Sequence, residues 1–485
     1  MPKRVSPPEL TLRQRPKGTT LTRWLYDELR GAIADGRLRA GTRLPASRDF
    51  AQHYKLSRGT VVTVFEQLEI EGFLRTKVGA GTWVSNTAER PLARRQTFDA
   101  SRKLPSPMGG LKRDGPAHPF RCYEPAVDQF PRHIWARLAS RRMRGASADF
   151  LSERDAQGHK PLRDALANYL AVSRGVKCSA DQIVITSGVQ QALDLVARAL
   201  LKRGDSIWME DPGYFGAVTA FRNAGVNVVP VPVDEQGISV TSGRKRARNA
   251  KAAYLTPAHQ FPLGVMMPAE RRLAILDWAR EAGAFLIEDD YDGEYRFEGS
   301  PAPCLQSLDR NDSVILMGTF NKILFSSLRV GYIVLPPALL DPVLAFRFGL
   351  DQNSVALEQG VLCDFIVEGH LGRYVRRTRE LYGARLAVLQ EEIRRRLGGL
   401  LEVPPIQAGL STVAYLRNGV ASRRAESAAA SYGVETMAID RFRIERKDVE
   451  GLLLGFAAFD ERQIRKAAEK LEAALTGLQA RRETA

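Results

Sequence analysis

Cysteine is scarce. The 485 residues hold four, at 122, 178, 304 and 363, and no two stand at C-x-x-C spacing. That excludes a disulfide framework and a zinc site of the usual spacing, so no metal is expected, and it fits a reducing cytoplasm. The opening Met1-Pro-Lys-Arg4 is not followed by an apolar run, so no secretory leader is expected. No stretch reaches the roughly 20 apolar residues that a membrane span requires, and no internal repeat stands out. What is present is 44% apolar content, ample for a large core, with 26% charged residues. The length predicts two or more domains. Formal net charge is +16, unevenly spread: residues 1–103 carry 20 Lys/Arg against 10 Asp/Glu, leaving only +6 for the rest. A polyanion partner is therefore expected for the N-terminal part, against the plainer reading of a solvated basic face.

Leu21 to Ile33 has apolar residues at helical spacing, ended by Ala34-Asp-Gly36. Pro45 precedes a second helix, capped by Ser47, and Ser57 caps a third that starts at Arg58. With Lys55-Leu-Ser57 as the turn between them, this is a helix-turn-helix, whose second helix enters the major groove N-terminus first. Gly72 to Val84 reads as a β-hairpin with a glycine tip, a wing. Residues 36–48, 56–61 (Leu-Ser-Arg-Gly-Thr-Val), 71–74 (Glu-Gly-Phe-Leu) and 79–84 (Gly-Ala-Gly-Thr-Trp-Val) resemble the GntR-family winged helix. The resemblance implies a double-stranded DNA operator as partner. It implies contacts from Arg48, Arg58, Thr60 and the wing at Lys77, Gly79 and Gly81, with Arg43 as a further phosphate contact. Residues 87–114 follow, with seven Lys/Arg and prolines at 91, 105 and 107, and read as a flexible basic tether.

Further on, Ser313–Met317 and Tyr332–Leu335 read as buried strands, with Lys322 between them. A lysine there is costly unless paired, solvated or chemically used, and a desolvated amine readily forms a Schiff base with an aldehyde. On this stretch alone, a lysine snorkelling from a strand end stays open. Ala284–Asp292 is an apolar strand ending in carboxylates and a phenol, at the end where open α/β sheets place their ligands. Adjacent carboxylates on a strand point to opposite faces, so only one of Asp289 and Asp290 faces a ligand. Ile183–Leu195 runs from a strand through Ser187-Gly188 into a helix, whose first N–H groups make an anion site. Tyr214 follows a tight turn. Lysine for an aldehyde, carboxylate for a ring nitrogen, aromatic for a ring face and helix start for a phosphate are the parts that a pyridoxal phosphate site needs.

With Thr186–Gln191, Glu210–Tyr214, His259–Gly264, Glu288–Asp292 and Thr319–Tyr332 in this order, residues from about 115 to 480 resemble fold-type I aminotransferases. Preceded by the winged helix, they resemble the MocR/GabR-type regulators, including a PdxR-like branch. The resemblance implies an α/β fold with three parts: a winged helix-turn-helix over 10–86, the linker over 87–114, and a pyridoxal phosphate domain over 115–482. That last domain has a mainly parallel sheet and a small C-terminal subdomain. A homodimer with the cofactor, pyridoxal 5'-phosphate, near its interface is also implied. Carried over residue by residue, Lys322 is the Schiff-base lysine and Asp289 accepts the pyridinium N–H, with Asp290 as runner-up. Tyr291 lies near the 3′-oxygen and Tyr214 on the ring face. Ser187, Gly188, Val189, Thr319 and Arg329 surround the phosphate, with Gln190 assisting. His259 lies in the segment facing the 3′-oxygen, though a packed strand-end histidine stays equally open.

The departures bear on function. Leu452–Leu454 stand where active relatives carry a carboxylate-gripping arginine in the last core strand, and Gly216 stands at an effector arginine's position. Arg441 and Arg443 are nearby in sequence. The phosphate-binding tyrosine often found before the Gly158 turn is absent from Ser152–Gln157. A bidentate arginine supplies orientation as well as energy. The expectation is a cytoplasmic transcription regulator whose small-molecule effector is pyridoxal phosphate or an amine without an α-carboxylate. The alternatives are a working aminotransferase with a DNA-binding appendage, or a repressor with an inert sensor.

Overall fold

Three helices and a three-stranded sheet build the N-terminal unit. The computed structural model describes residues 10–77, 81–85, 117–152, 155–297, 303–352 and 355–483, and the chain divides into two compact units, residues 1–109 and 110–485. Helix α1 (Leu21–Ala34) starts at Thr20, whose hydroxyl accepts the Arg23 amide at 3.3 Å. Helix α3 (Arg58–Ile70) starts at Ser57, whose hydroxyl accepts the Thr60 amide at 3.1 Å. Such a cap is worth about 1 kcal/mol. Helix α2 (Ser47–His53) differs from expectation, because Ala46 takes the cap position with no side-chain bond and Ser47 is already the first helical residue. The turn after Pro45 closes one residue early, so the Ser47 hydroxyl stands inside the helix. Strands β1 (Arg43–Leu44), β2 (Leu74–Lys77) and β3 (Gly81–Val84) pair antiparallel in the order β1-β3-β2, forming the wing. Residues 78–80, including Gly79, and the linker over 87–114 lie outside the described residues. Leu25, Leu29, Phe50, Val61, Val64, Leu68 and Leu74 share one core. Phe50 lies at its centre, 5.4 Å from the Phe65 ring and 4.6 Å from Tyr54.

The second unit holds an eight-stranded sheet: β4 (Ile183–Thr186), β5 (Ser206–Asp211), β6 (Asn227–Asp234), β7 (Gly237–Ile238), β8 (Ala252–Leu255), β9 (Phe285–Asp290), β10 (Val314–Thr319) and β11 (Gly331–Val334). Their order is β4-β11-β10-β9-β8-β5-β6-β7. The run β10-β9-β8-β5-β6 is parallel throughout. Only β11, beside β10 and β4, and β7, beside β6, run antiparallel. A sheet buried on both faces needs apolar side chains at successive positions, and β9 shows it. Leu286 packs with the stacked pair Trp208 and Trp278 on one face, and Ile287 with Leu193 and Val196 on the other.

The C-terminal subdomain has an antiparallel sheet of β12 (Leu401–Glu402), β13 (Ser411–Leu416), β14 (Met437–Ala438) and β15 (Gly451–Gly455), in the order β12-β13-β15-β14. Helices His370–Glu392 and Glu461–Glu483 pack together beside it. The two sheets are tied at the end of β5. The Asp211 carboxylate accepts the amides of Ile444 and Glu445, both at 2.8 Å, and Arg446 at 2.9 Å. Among the described residues no helix is long and apolar enough to cross a membrane.

Two compact units predict two unfolding transitions. Phe50→Ala leaves a cavity in the smaller core and should cost that unit about 3–5 kcal/mol. Calorimetry of the full chain should show one transition lowered and the other unmoved; equal shifts in both would count against two separate cores.

Candidate functional site

Strands β9 and β10 run side by side, with Met317 opposite Asp289 and Gly318 opposite Asp290. Beyond Thr319 the chain leaves the sheet and turns into Lys322. That turn is cross-braced. The Thr319 hydroxyl donates to the Val330 carbonyl at 3.4 Å and accepts the Asn321 amide at 3.2 Å, while the Asn321 side-chain oxygen accepts the Val330 amide at 3.1 Å. Lys322 Nζ donates to the Tyr123 carbonyl at 2.9 Å and lies 5.6 Å from that ring's centre. Lys322 is half-buried, with its amine turned onto the Tyr123 backbone rather than snorkelling from a strand end.

The strand's alternation separates the two aspartates. Asp290 is locked to Arg174, with Nε to Oδ2 at 2.7 Å and Nη2 to Oδ1 at 2.9 Å. Asp289, 4% exposed, accepts the Tyr254 hydroxyl on Oδ2 at 2.6 Å, and its Oδ1 is buried with no hydrogen-bond partner. Such an orphaned oxygen costs about 1–3 kcal/mol. Burial pushes the Asp289 carboxyl up to about 7; the Tyr254 bond opposes this, and Asp290 and Asp292 add to it. The neighbouring Glu288 carboxylate instead accepts the amides of Leu305 and Gln306 at 2.8 and 3.0 Å.

At the other end, Gly188 makes the turn from β4 into helix Val189–Leu200 at φ 120. A Cβ there would stand 2.9 Å from Asn321 Nδ2 and 3.6 Å from the Arg329 guanidinium, so only glycine leaves this cradle open. Arg329 holds φ 55, a left-handed backbone that a non-glycine residue rarely adopts. Thr186, Ser187, Gln191 and Arg329 line a cavity of about 560 Å³. Inside it the Ser187 amide donates to Gln191 Oε1 at 2.6 Å, and the Gly188 amide meets the Thr186 hydroxyl at 3.4 Å. Gln190 instead braces the neighbouring turn. It donates to the Gly216 carbonyl at 3.0 Å and accepts the Tyr214 hydroxyl at 3.4 Å.

The middle of the site is aromatic. Tyr214 sits edge-on to Phe261, ring centres 5.6 Å apart. His259 is packed and only 8% exposed; its Nδ1 lies 2.9 Å from Asp292 Oδ2 and 3.0 Å from the Tyr291 hydroxyl. Burial, then Asp292 and Tyr123, push the Tyr291 phenol well above its ordinary pKa, so it stays protonated and can donate. Leu453, 1% exposed, belongs to an apolar cluster with Phe261, Met437 and Phe442, against which Tyr123, Tyr214 and Tyr291 pack. Neither sequence-neighbouring arginine is available in exchange. Arg441 forks onto Glu426, with Nη2 to Oε2 at 2.8 Å. Arg443 donates to the Val449 carbonyl at 2.8 Å and pairs with Glu450 at 3.3 Å.

In the N-terminal unit, Arg48 and Arg58 are exposed in the first turns of α2 and α3, and Lys77 is exposed at the end of β2. Thr60 is partly used, since its hydroxyl lies 2.8 Å from that of Ser57. Arg43 lies over the Trp83 ring at 5.5 Å, against Gly81, and so props the wing.

Sequence reasoning missed Tyr123, Tyr254, Asn321 and Gln191. A tyrosine inside the otherwise apolar β8 was the only local hint of Tyr254. Tyr123 meets Lys322 across 199 positions, beyond any periodicity.

Both units match known protein families. The model for "Aminotransferase class I and II" matches residues 124–471 and that for "Bacterial regulatory proteins, gntR family" residues 21–84. The chain is 36% identical over 467 residues to the probable rhizopine catabolism regulatory protein MocR of Rhizobium meliloti, covering 94% of each. It is 31% identical over 451 residues to the pyridoxine biosynthesis transcriptional regulator PdxR of Corynebacterium glutamicum, covering 92% of this chain and 94% of that one. Among solved structures it resembles the α-aminoadipate aminotransferase LysN of Thermus thermophilus, complexed with N-(5'-phosphopyridoxyl)-L-leucine. The TM-score is 0.71 at 27% identity, covering 79% of this chain and 97% of that one. Similarity of that extent implies a pyridoxal phosphate cofactor for the fold. The chain belongs to the MocR class of helix-turn-helix transcription regulators, in which a GntR-type DNA-binding unit is joined to a class I/II aminotransferase domain.

Proposed function

We propose that this regulator binds operator DNA through residues 10–86 and carries pyridoxal 5'-phosphate on Lys322 in residues 115–482, answering to that aldehyde or to an amine without an α-carboxylate. The observation that carries the reading is the buried, unpartnered Oδ1 of Asp289 on the strand beside the Lys322 loop. Such an atom has its cost removed by an N–H donor, and a ring nitrogen is one. Gly188, Asn321 and Arg329 close around a space that suits a phosphate, with Ser187 gaining it by releasing Gln191. Tyr214 lies on the aromatic side, and the Tyr291 phenol is a donor for a ring oxygen. Bound there, the cofactor supplies an aldehyde carbon that condenses with a primary amine, and an electron-withdrawing ring. The buried leucine at 453 and the engaged Arg441 and Arg443 favour a sensor over a working aminotransferase, since a carboxylate substrate would lack its guanidinium. Regulation then requires the ligand to bind one arrangement of the protein better than another. A homodimer is the assembly proposed, as in the family that the sequence resembles.

Three measurements test this. Borohydride reduction after adding pyridoxal phosphate should leave a pyridoxyl mass on the Lys322 peptide, and Lys322→Ala should abolish it; an adduct elsewhere, or none, ends the reading. Without cofactor, folded Asp289 keeps its proton to about 7 whereas an unfolded aspartate loses it near 3.8. Its stabilising contribution is thus complete below about pH 4 and is lost as pH rises through about 7. The melting temperature of Asp289→Asn should therefore fall less than wild type between about pH 5 and pH 8; identical falls would contradict the assignment. Finally, Arg58→Ala should weaken binding to the specific operator by about 1–3 kcal/mol if it reads a base edge. Uniform loss on all sequences with a flatter salt dependence would make it a phosphate contact instead.

A further inference from the structure

The strap that covers Lys322 holds a residue in a conformation that its side chain disfavours. Tyr123 has φ 63, and Phe120 three positions before it has φ 70, both in the left-handed region that bulky side chains avoid. Such strain persists only where neighbours over-determine it, and here they do. The Gly455 amide donates to the Phe120 carbonyl at 2.9 Å, and the strap lies so close that a Cβ on Gly455 would stand 2.0 Å from the Arg121 carbonyl oxygen. The Tyr123 amide donates to Ser411 Oγ at 3.0 Å, and the Ala126 amide to the Tyr382 hydroxyl at 2.9 Å. The strap is thereby fixed to the ends of β13 and β15.

What the strain positions is the roof over the amine. The Tyr123 carbonyl accepts from Lys322 Nζ at 2.9 Å. The Tyr123 ring packs 5.2 Å from Phe261 and 6.4 Å from Tyr291, and both are in contact with the Leu453 cluster. The lysine amine thus faces an aromatic ring that belongs to the margin of the apolar Leu453 cluster.

We propose that Tyr123 is a specificity-determining residue: its ring and carbonyl close the side of Lys322 on which an amino acid would approach. This rests on the functional reading above and sharpens it, since it makes the aldehyde itself the ligand to which the site responds. Loading requires only that Nζ add to the aldehyde carbon and water leave. Exchange requires a second amine to reach that same carbon while a C–N bond to Nζ breaks and the lysine amine is regenerated. The roof leaves room for the first event and obstructs the second. The substitution that removes its ring and keeps the carbonyl is Tyr123→Gly, because glycine adopts φ 63 without strain.

The test compares wild type, Tyr123→Gly, Tyr123→Ala and Tyr123→Phe as full-length proteins. Each is loaded with pyridoxal phosphate, checked by its thermal melt and by the reduced adduct's mass, then titrated with L-alanine while the visible absorption band is followed. Wild type and Tyr123→Phe should keep their band. Tyr123→Gly should lose its band with a half-saturating concentration at least roughly tenfold below the highest concentration that wild type withstands, the scale of one removed steric contact. Tyr123→Ala should fall between, and it carries the test if the glycine variant does not fold. An equal response in wild type, or silence in both opened variants despite a normal adduct at Lys322, overturns the proposal. Absence of the adduct from wild type instead overturns the functional reading on which it rests.

Discussion

A carboxylate oxygen sealed inside a sheet without a donor is the constraint on which the C-terminal unit depends. Asp289 can hold that place because β9 is embedded between β8 and β10, and Tyr254 reaches from the next strand to satisfy one of its two oxygens. The arrangement stays tolerable because burial raises the carboxyl to about 7, which favours its neutral form. Neutralising the acid is the ordinary alternative to paying for a buried charge. The other carboxylates of the same stretch show how the cost is otherwise met: Glu288 takes two backbone amides and Asp290 takes a fork of arginine.

The same economy of partners explains the rigidity of the lysine loop. Thr319, Asn321 and Val330 bond one another across the turn, so Lys322 leaves the sheet in a fixed direction. On the anion side the fixed element is backbone rather than side chain. Gly188 provides an approach that any Cβ would block, and Arg329 is held left-handed with its guanidinium toward it. In the N-terminal unit the equivalent determinants are local. The Ser57 cap and a four-residue strand on each side of the wing fix where Arg58 and Lys77 stand.

That contrast accounts for what was legible in the sequence. Features set by neighbours within a few positions were readable: the third helix and its serine cap, the two strands of the wing, the strand ending in Asp289 and Asp290 and the strand-to-helix turn at Gly188. The alternation along β9 also sufficed to place Asp289 and Asp290 on different partners. The cap of α2 was misplaced by one residue, because the choice between Ala46 and Ser47 depends on how the turn after Pro45 closes. Contacts spanning the chain were not readable. Tyr254 and Asp289 are 35 positions apart, Tyr123 and Lys322 199, and nothing in the composition of either stretch announces the other. That Arg441 and Arg443 are held by Glu426 and Glu450 was likewise beyond what their nearness in sequence could tell.

Asp211 carries a mechanical consequence. A single carboxylate at the tip of β5 grips three consecutive amides of the segment leading toward β15. The neighbouring Gly213 amide donates to the Phe442 carbonyl at 3.0 Å, so the join is a cluster of bonds rather than a single contact. Losing that carboxylate would orphan three neighbouring amides at once, so one side chain decides whether this segment stays fastened to the end of β5.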